Sequence, residues 1–210
     1  LMRDEAARQK AARKALTPET VRRVAGIRRA DEIAAASNAL LRVEGRVLTV
    51  TDDFCEKVQS RHEFYSTSSA DEELAVLLHL LGQKLVGRRA EAIIAAAKFA
   101  GNRPKLVARG RAAIPAAHAY YTARELFSGV EIVDAPPSWA EYLRDDGLGG
   151  RFADVVRGAW AHYDWTDLVG EPYAAEWNGA NVALETVRVS SVPFCRVWPG
   201  HQRELSQTEV

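Results

Sequence analysis

The stretch 103–121, RPKLVARGRAAIPAAHAYY, leaves the backbone few paths. Pro104 suits the start of a strand, and Lys105 to Ala108 form the short apolar run of a buried one. An alanine-rich helical pattern begins almost at once after Gly110. The chain must therefore turn within Arg109-Gly110-Arg111, from a strand into a helix small enough to lie close on the sheet. Two further strands are expected, at 46–51 (RVLTVT) and at 130–134 (VEIVD). Strands alternating with helices of 10–15 residues predict an α/β fold with a partial parallel sheet. Right-handed crossovers then predict a three-layer sandwich with helices on both faces.

The remaining segments fit around these strands. Residues 1–44 read as a helical amino-terminal extension. In it, 3–15 is an exposed helix, Thr17-Pro18-Glu19 is a helix start, and Asp31-Glu32 opens a helix carrying Ile33, Ala36, Leu40 and Leu41. Residues 45–192 form the α/β domain and 193–210 a polar tail. The loop 52–69 has no period. Ser69 caps a helix over 70–82 with Leu74, Leu77, Leu78 and Leu81 on one face, and another helix runs from Arg88 to Ala100. Ser138 caps a short helix with Trp139 and Tyr142, residues 151–169 resume helical patterning, and Val182 to Val192 suit a last strand.

Composition excludes several functions. The 210 residues carry 28 basic and 28 acidic side chains, so no general attraction to nucleic acid or to an anionic membrane is expected. Only the first 36 residues lean basic, with nine Lys or Arg against five Asp or Glu, which reads as a solvated helix face. Cys55 and Cys195 are too few for a disulfide framework or a zinc site. No apolar run approaches the roughly 18 residues of a membrane span. The Leu1-Met2 opening reads as a fragment; were the start genuine, the lack of a signal segment would predict a cytoplasmic protein.

The corner at Gly110 also has the form of a nucleophile elbow, built from Gly-x-Ser-x-Gly in α/β-hydrolases. Leu80-Leu81-Gly82-Gln83-Lys84-Leu85-Val86-Gly87-Arg88-Arg89-Ala90-Glu91, this corner, Pro137-Ser138-Trp139 and Tyr163-Asp164-Trp165-Thr166-Asp167-Leu168 occur in a familiar order and spacing. Together they resemble acetyl-xylan-esterase-like, or dienelactone-hydrolase-like, members of the α/β-hydrolase superfamily. The resemblance covers residues 46–170, the later half of such an enzyme. It implies a serine ester hydrolase needing no cofactor and acting on a small ester or carbohydrate ligand. The frame Ala108-Arg109-Gly110-Arg111-Ala112 sets Gly110 where the nucleophile would stand, and a shifted frame sets Ala112 there. Neither side chain can attack an ester. No His-Gly pair precedes Gly45 to supply the usual oxyanion loop. The implied activity is that of a fragment or a degenerate copy.

Other candidates are weighed on their positions. Asp134 ends a strand, where open parallel sheets place ligands, and is either an acid of the site or a cap of the next turn. His201 follows the last expected strand, where a hydrolase histidine would come, but in a polar tail. Arg109 and Arg111 flank the corner and form an anion seat, or one of them pairs with an acid such as Asp134. His79 and His118 read as core histidines, and His62 and His162 lack metal-ligand spacing, so no metal is expected. Ser66, Ser68 and Ser69 read as loop serines. Trp139, Tyr142, Trp160, Tyr163 and Trp165 either pack in the core or line a cleft for a carbohydrate.

Overall fold

The computed structural model describes residues 16–51, 70–136, 138–139 and 152–169. The expectations for 1–15, for the loop 52–69, for Tyr142, and for everything beyond residue 169, including the strand at 182–192, lie outside these. A mixed four-stranded sheet with helices makes this an α/β fold, as the alternation of elements predicted. The strands run in the order β1 (Arg42–Glu44), β2 (Val47–Val50), β3 (Lys105–Arg109) and β4 (Gly129–Val133). β2, β3 and β4 are parallel, and β1 is antiparallel to β2.

Four α-helices accompany the sheet: α1 (Pro18–Ala25), α2 (Ala70–Leu80), α3 (Leu85–Ala100) and α4 (Ala113–Thr122). α1 has the start its sequence predicts. The Thr17 hydroxyl accepts from the Thr20 amide at 3.2 Å, Pro18 occupies the first turn, and Gly26 closes the helix at φ 69°. The helix expected from Asp31 does not form. Ala30–Glu32 is a single 3₁₀ turn, and the chain then runs without regular structure, through a turn closed by the Leu41 amide on the Asn38 carbonyl, into β1. Its apolar residues are used without helical period: Ile33 and Leu41 are buried singly, while Leu40 is half exposed. The segment is fixed from α3, where the Lys98 ammonium donates to the carbonyls of Ala30 and Ile33, and the Ala95 carbonyl accepts from the Ala36 amide at 3.2 Å. A two-residue turn at Gly45-Arg46, with Gly45 at φ 59°, reverses β1 onto β2.

The described part of the expected extension, residues 16–44, is thus only partly helical and shares the main core. Val21, Ala25, Ile27, Ile33 and Leu41 belong to one buried cluster with the sheet and α3 and α4. One sheet face is sealed: Leu48, Val50, Leu106 and Ala108 are fully buried. α4 contacts β3 and β4 and also packs on α3, and its Ala113, Ala116, Ala117 and Ala119 are all fully buried. The other face is half open and carries an ion pair between Lys105 and Glu131 at 2.6 Å.

Two helical readings need correction. Residues 152–169, where helical patterning was expected, form three short 3₁₀ turns, Phe152–Asp154, Ala159–Ala161 and Trp165–Leu168. Gly158 at φ 85° breaks the run, and Asp164 starts the last turn with a reciprocal capping box to Asp167. On α2, the leucine stripe faces the wrong way for a core. Leu74, Leu77 and Leu81 are 44%, 58% and 72% exposed. The packed side holds Asp71, Ala75 and Leu78, against Leu85 and Ala153, because Asp71 is drawn inward by the arginines described below.

α1 and α3 meet without space for a side chain between them. A Cβ added at Gly87 would lie 2.0 Å from the Ala25 carbonyl oxygen. Gly87→Ala is therefore expected to destabilise the protein by about 1–3 kcal/mol, although alanine is the better helix former. Urea denaturation checks this, and an unchanged or raised midpoint would show that α1 does not sit on α3.

Candidate functional site

The corner after β3 follows the expected path. β3 ends at Arg109, Gly110 adopts φ 59°, and a 3₁₀ turn at Gly110–Ala112 leads straight into α4. Positive φ costs a residue with a Cβ but not glycine, so this residue type fits its backbone. Pro115 falls in the first turn of α4, where its missing N–H has no partner to lose. Gly110 is the tip of the bend and offers only backbone.

The structure separates the two flanking arginines. Arg109 pairs in register with Val133 at the carboxyl edge of the sheet and is exposed. It forms no ion pair among the described residues. Asp134 follows Val133 on the same edge, exposed and at φ 50°, a conformation that aspartate tolerates better than most residues. Arg111 points inward. Its Nε and Nη2 donate to the two carboxylate oxygens of Asp154 at 2.7 and 2.9 Å, a bidentate fork. Its Nη2 also lies 3.5 Å from Asp71 Oδ2, and Asp71 Oδ1 accepts from Arg89 Nη2 at 2.6 Å. The acid that pairs with a corner arginine is therefore Asp154, not Asp134. Of the expected anion seat, Arg111 is committed to internal carboxylates and Arg109 faces solvent.

Asp71 and Asp154 are 3% and 2% exposed, so this is a buried network of two acids and two arginines. Burial pushes the Asp154 carboxyl above the usual carboxylate range, against the opposing pull of Arg111 and Arg89. Desolvation thus outweighs attraction here, and the network holds its members in place more than it adds net stability. Sequence reading missed it. Asp71 was explained by the helix dipole, and nothing local to Asp154 marks a partner 43 positions away.

A second buried group lies under α4. His118 is fully buried; its Nδ1 donates to the Ile114 carbonyl at 2.7 Å, which leaves Nε2 to accept from the Tyr163 hydroxyl at 3.1 Å. The rings of Trp139 and Tyr163 pack around it at 6.0 and 5.6 Å between centroids. Trp139 is itself fixed, its amide donating to Asp164 Oδ1 and its indole N–H to the Asp154 carbonyl. Trp139, Tyr163 and Trp165 are core residues, and Trp160 packs partly buried against them, so these four line no cleft. Tyr163 ionisation is pushed far up by burial. The histidine is a satisfied core residue, not a base.

The other acid–base clusters are structural too. Glu91, buried in α3, accepts from the Arg28 amide and guanidinium and from Arg88. Burial pushes its carboxyl up, but the hydrogen bonds from Arg28 prevail and hold it below the usual range. Among the described residues no group of three or more His, Cys, Asp or Glu could hold a metal ion, and no helix is long and apolar enough to cross a membrane. His201, His62, Ser66, Ser68 and both cysteines lie outside those residues. No family model matches this chain, and no curated protein or solved structure matches it.

Two outcomes follow from the two buried groups. Arg111→Gln strips Asp154 of its partner and should cost about 3–5 kcal/mol in urea denaturation at neutral pH. Arg109→Gln, at the exposed edge, should stay within about 0.5 kcal/mol of wild type. Equal effects would contradict the division between them. His118 refuses its proton in the folded state until about pH 4, against 6.5 when unfolded, because burial disfavours the cation. The unfolded chain binds the extra proton between these values, so stability is fully present above pH 6.5 and falls as pH drops through the window. The loss should approach about 3 kcal/mol. His118→Gln should flatten that slope; parallel pH profiles for the two proteins would rule the assignment out.

Proposed function

We propose that this chain is an acetyl-xylan-esterase-like domain of α/β-hydrolase type, a three-layer sandwich whose nucleophile position is held by Gly110. It is a catalytically degenerate or partial copy of a carboxylic-ester hydrolase. The observation that supports this most is the path of the backbone at the corner. β3 stops at Arg109, φ turns to 59° at Gly110, and a helix of small residues begins at Ala113. A hydrolase needs that path to expose a serine oxygen above the sheet. Asp134, exposed just after β4, is the acid this reading assigns to such a site, and His201 is the histidine it assigns. The half-open face with Val47, Val107 and Val133 is what a further helical layer would cover. The ligand class is a small ester or a carbohydrate carrying one.

A second reading, a non-catalytic binding module, is favoured by one observation. Arg109 stands exposed beside Gly110 with no ion pair among the described residues, while Arg111 is bound to Asp154. The seat would then be Arg109 with the first amides of the corner, taking a carboxylate or phosphate.

The purified chain should show no hydrolysis of a small acetyl ester above background and no covalent labelling by a fluorophosphonate probe. Gly110→Ser should stay nearly inactive, because an oxyanion donor alone is worth about 10²–10³ in rate. Labelling of one serine together with turnover would overturn the dead-site reading. A crystal of the inactive protein with a carboxylate ligand on Arg109 would favour the binding module.

A further inference from the structure

α2 keeps its apolar face outside the core. Leu74, Val76, Leu77, Leu80 and Leu81 are 44% to 76% exposed, while Asp71, Ala75 and Leu78 take the packed side. Leu74, Leu77 and Leu81 recur at the three- and four-residue spacing of a helix-pairing seam. Leu81 still follows the helical path, since its amide donates to the Leu77 carbonyl at 3.2 Å. The helix cannot roll to bury this face. Asp71 Oδ1 accepts from Arg89 at 2.6 Å on the opposite side, and a turned helix would strand that buried carboxylate.

Five such residues on one short helix form an apolar patch on the order of a few hundred Å², the size at which exposed surface marks an interaction site. The two ends of the patch carry opposite charge. Glu72 and Glu73 lie in the first turn, and Glu73 precedes Val76, Leu77 and Leu80 by three, four and seven residues, on the same face. At the other end, Lys84 Nζ and Arg157 Nη1 lie 3.5 and 2.7 Å from the two ring nitrogens of His79. A surface acidic at one end, apolar in the middle and basic at the other is complementary to itself after a half rotation. Parallel pairing would set acid against acid, and the helix dipoles oppose it too.

We propose that the leucine face of α2 is the contact surface of a homodimer, in which the α2 helices of two copies lie antiparallel across a two-fold axis near Leu77. Each copy then brings its acidic first turn to the Lys84 end of the other, and the leucines of both close over the axis. The contact is isologous, so it is complete at two copies and does not propagate. Two patches of this size fall below the roughly 1,200 Å² of a standard interface, so the dimer is weak and reversible. The surface owes nothing to the corner at Gly110, so it stands or falls independently of the esterase-like reading.

The test is sedimentation velocity of the full chain from low micromolar to submillimolar concentration. A monomer–dimer equilibrium is expected, with no larger species. Leu77→Lys, which sets two ammonium groups together at the axis, should weaken it about tenfold or more. Leu40→Lys, an exposed leucine outside α2, should leave it unchanged. Glu73→Lys and Lys84→Glu should each weaken the dimer, and both changes in one chain should restore it, because the exchanged ends match again. Circular dichroism and urea midpoints in dilute solution confirm that every variant is folded. Association unaffected by Leu77→Lys, or no recovery in the double exchange, would overturn the proposal. A monomer at every concentration would overturn it as well: a lowered urea midpoint in Leu77→Lys would then give the face to a segment of the same chain, and an unchanged midpoint to a different protein.

Discussion

Two carboxylates almost without access to water, Asp71 and Asp154, have to be neutralised, and Arg89 and Arg111 are placed to do it. The four side chains come from α2, α3, the corner after β3 and the turn at Phe152–Asp154. An uncompensated charge at any of these depths would be strongly unfavourable, so the four backbones cannot move apart independently. This requirement explains the orientation of α2. Turning its leucines inward would swing Asp71 away from Arg89. It also explains why residues 152–169 stay close to α4 without forming a helix. Asp154 anchors one end, and the Tyr163–His118 hydrogen bond with Trp139 anchors the middle.

The same network decides what the corner can offer to a ligand. Arg111 is adjacent to the bend in sequence yet is spent inside the molecule, so proximity along the chain misleads. The edge keeps Arg109, the carboxylate of Asp134 and the amides of the turn. That leaves charge recognition open at the carboxyl edge but provides no group that can form a covalent bond at the tip.

How much of this was legible in the sequence depended on whether the signal was local. β2, β3 and β4 were found because short β-branched or apolar runs between breakers carry their own signature, and α1 because its cap and its glycine are both within it. The turn at Gly110 was legible for the same reason. Failures occurred where long-range partners override period. The leucines at 74, 77 and 81 make a good amphipathic stripe, yet an ion pair to Arg89 and small-residue contacts with Ala153 turn the other side inward. Residues 30–44 have helical spacing, but Lys98 and Ala95 on α3 supply partners for a chain without regular structure, and β2 pairs with 42–44. Asp154 was invisible because its importance is a single contact with Arg111.

The glycine at the corner can be understood from the backbone alone. A residue with a Cβ held at φ 59° stores strain of about 1–3 kcal/mol, and such strain persists where function depends on it. If an ester hydrolase carries a serine at this point, the rest of its fold must oppose that strain. Glycine avoids that strain and keeps the path from β3 into α4, whose Ala113, Ala116 and Ala117 are fully buried. The glycine at the tip and the bend itself are then two consequences of one energetic preference. The bend is a demand of the core itself, in which the alanines of α4 share one buried cluster with Leu106 and Ala108.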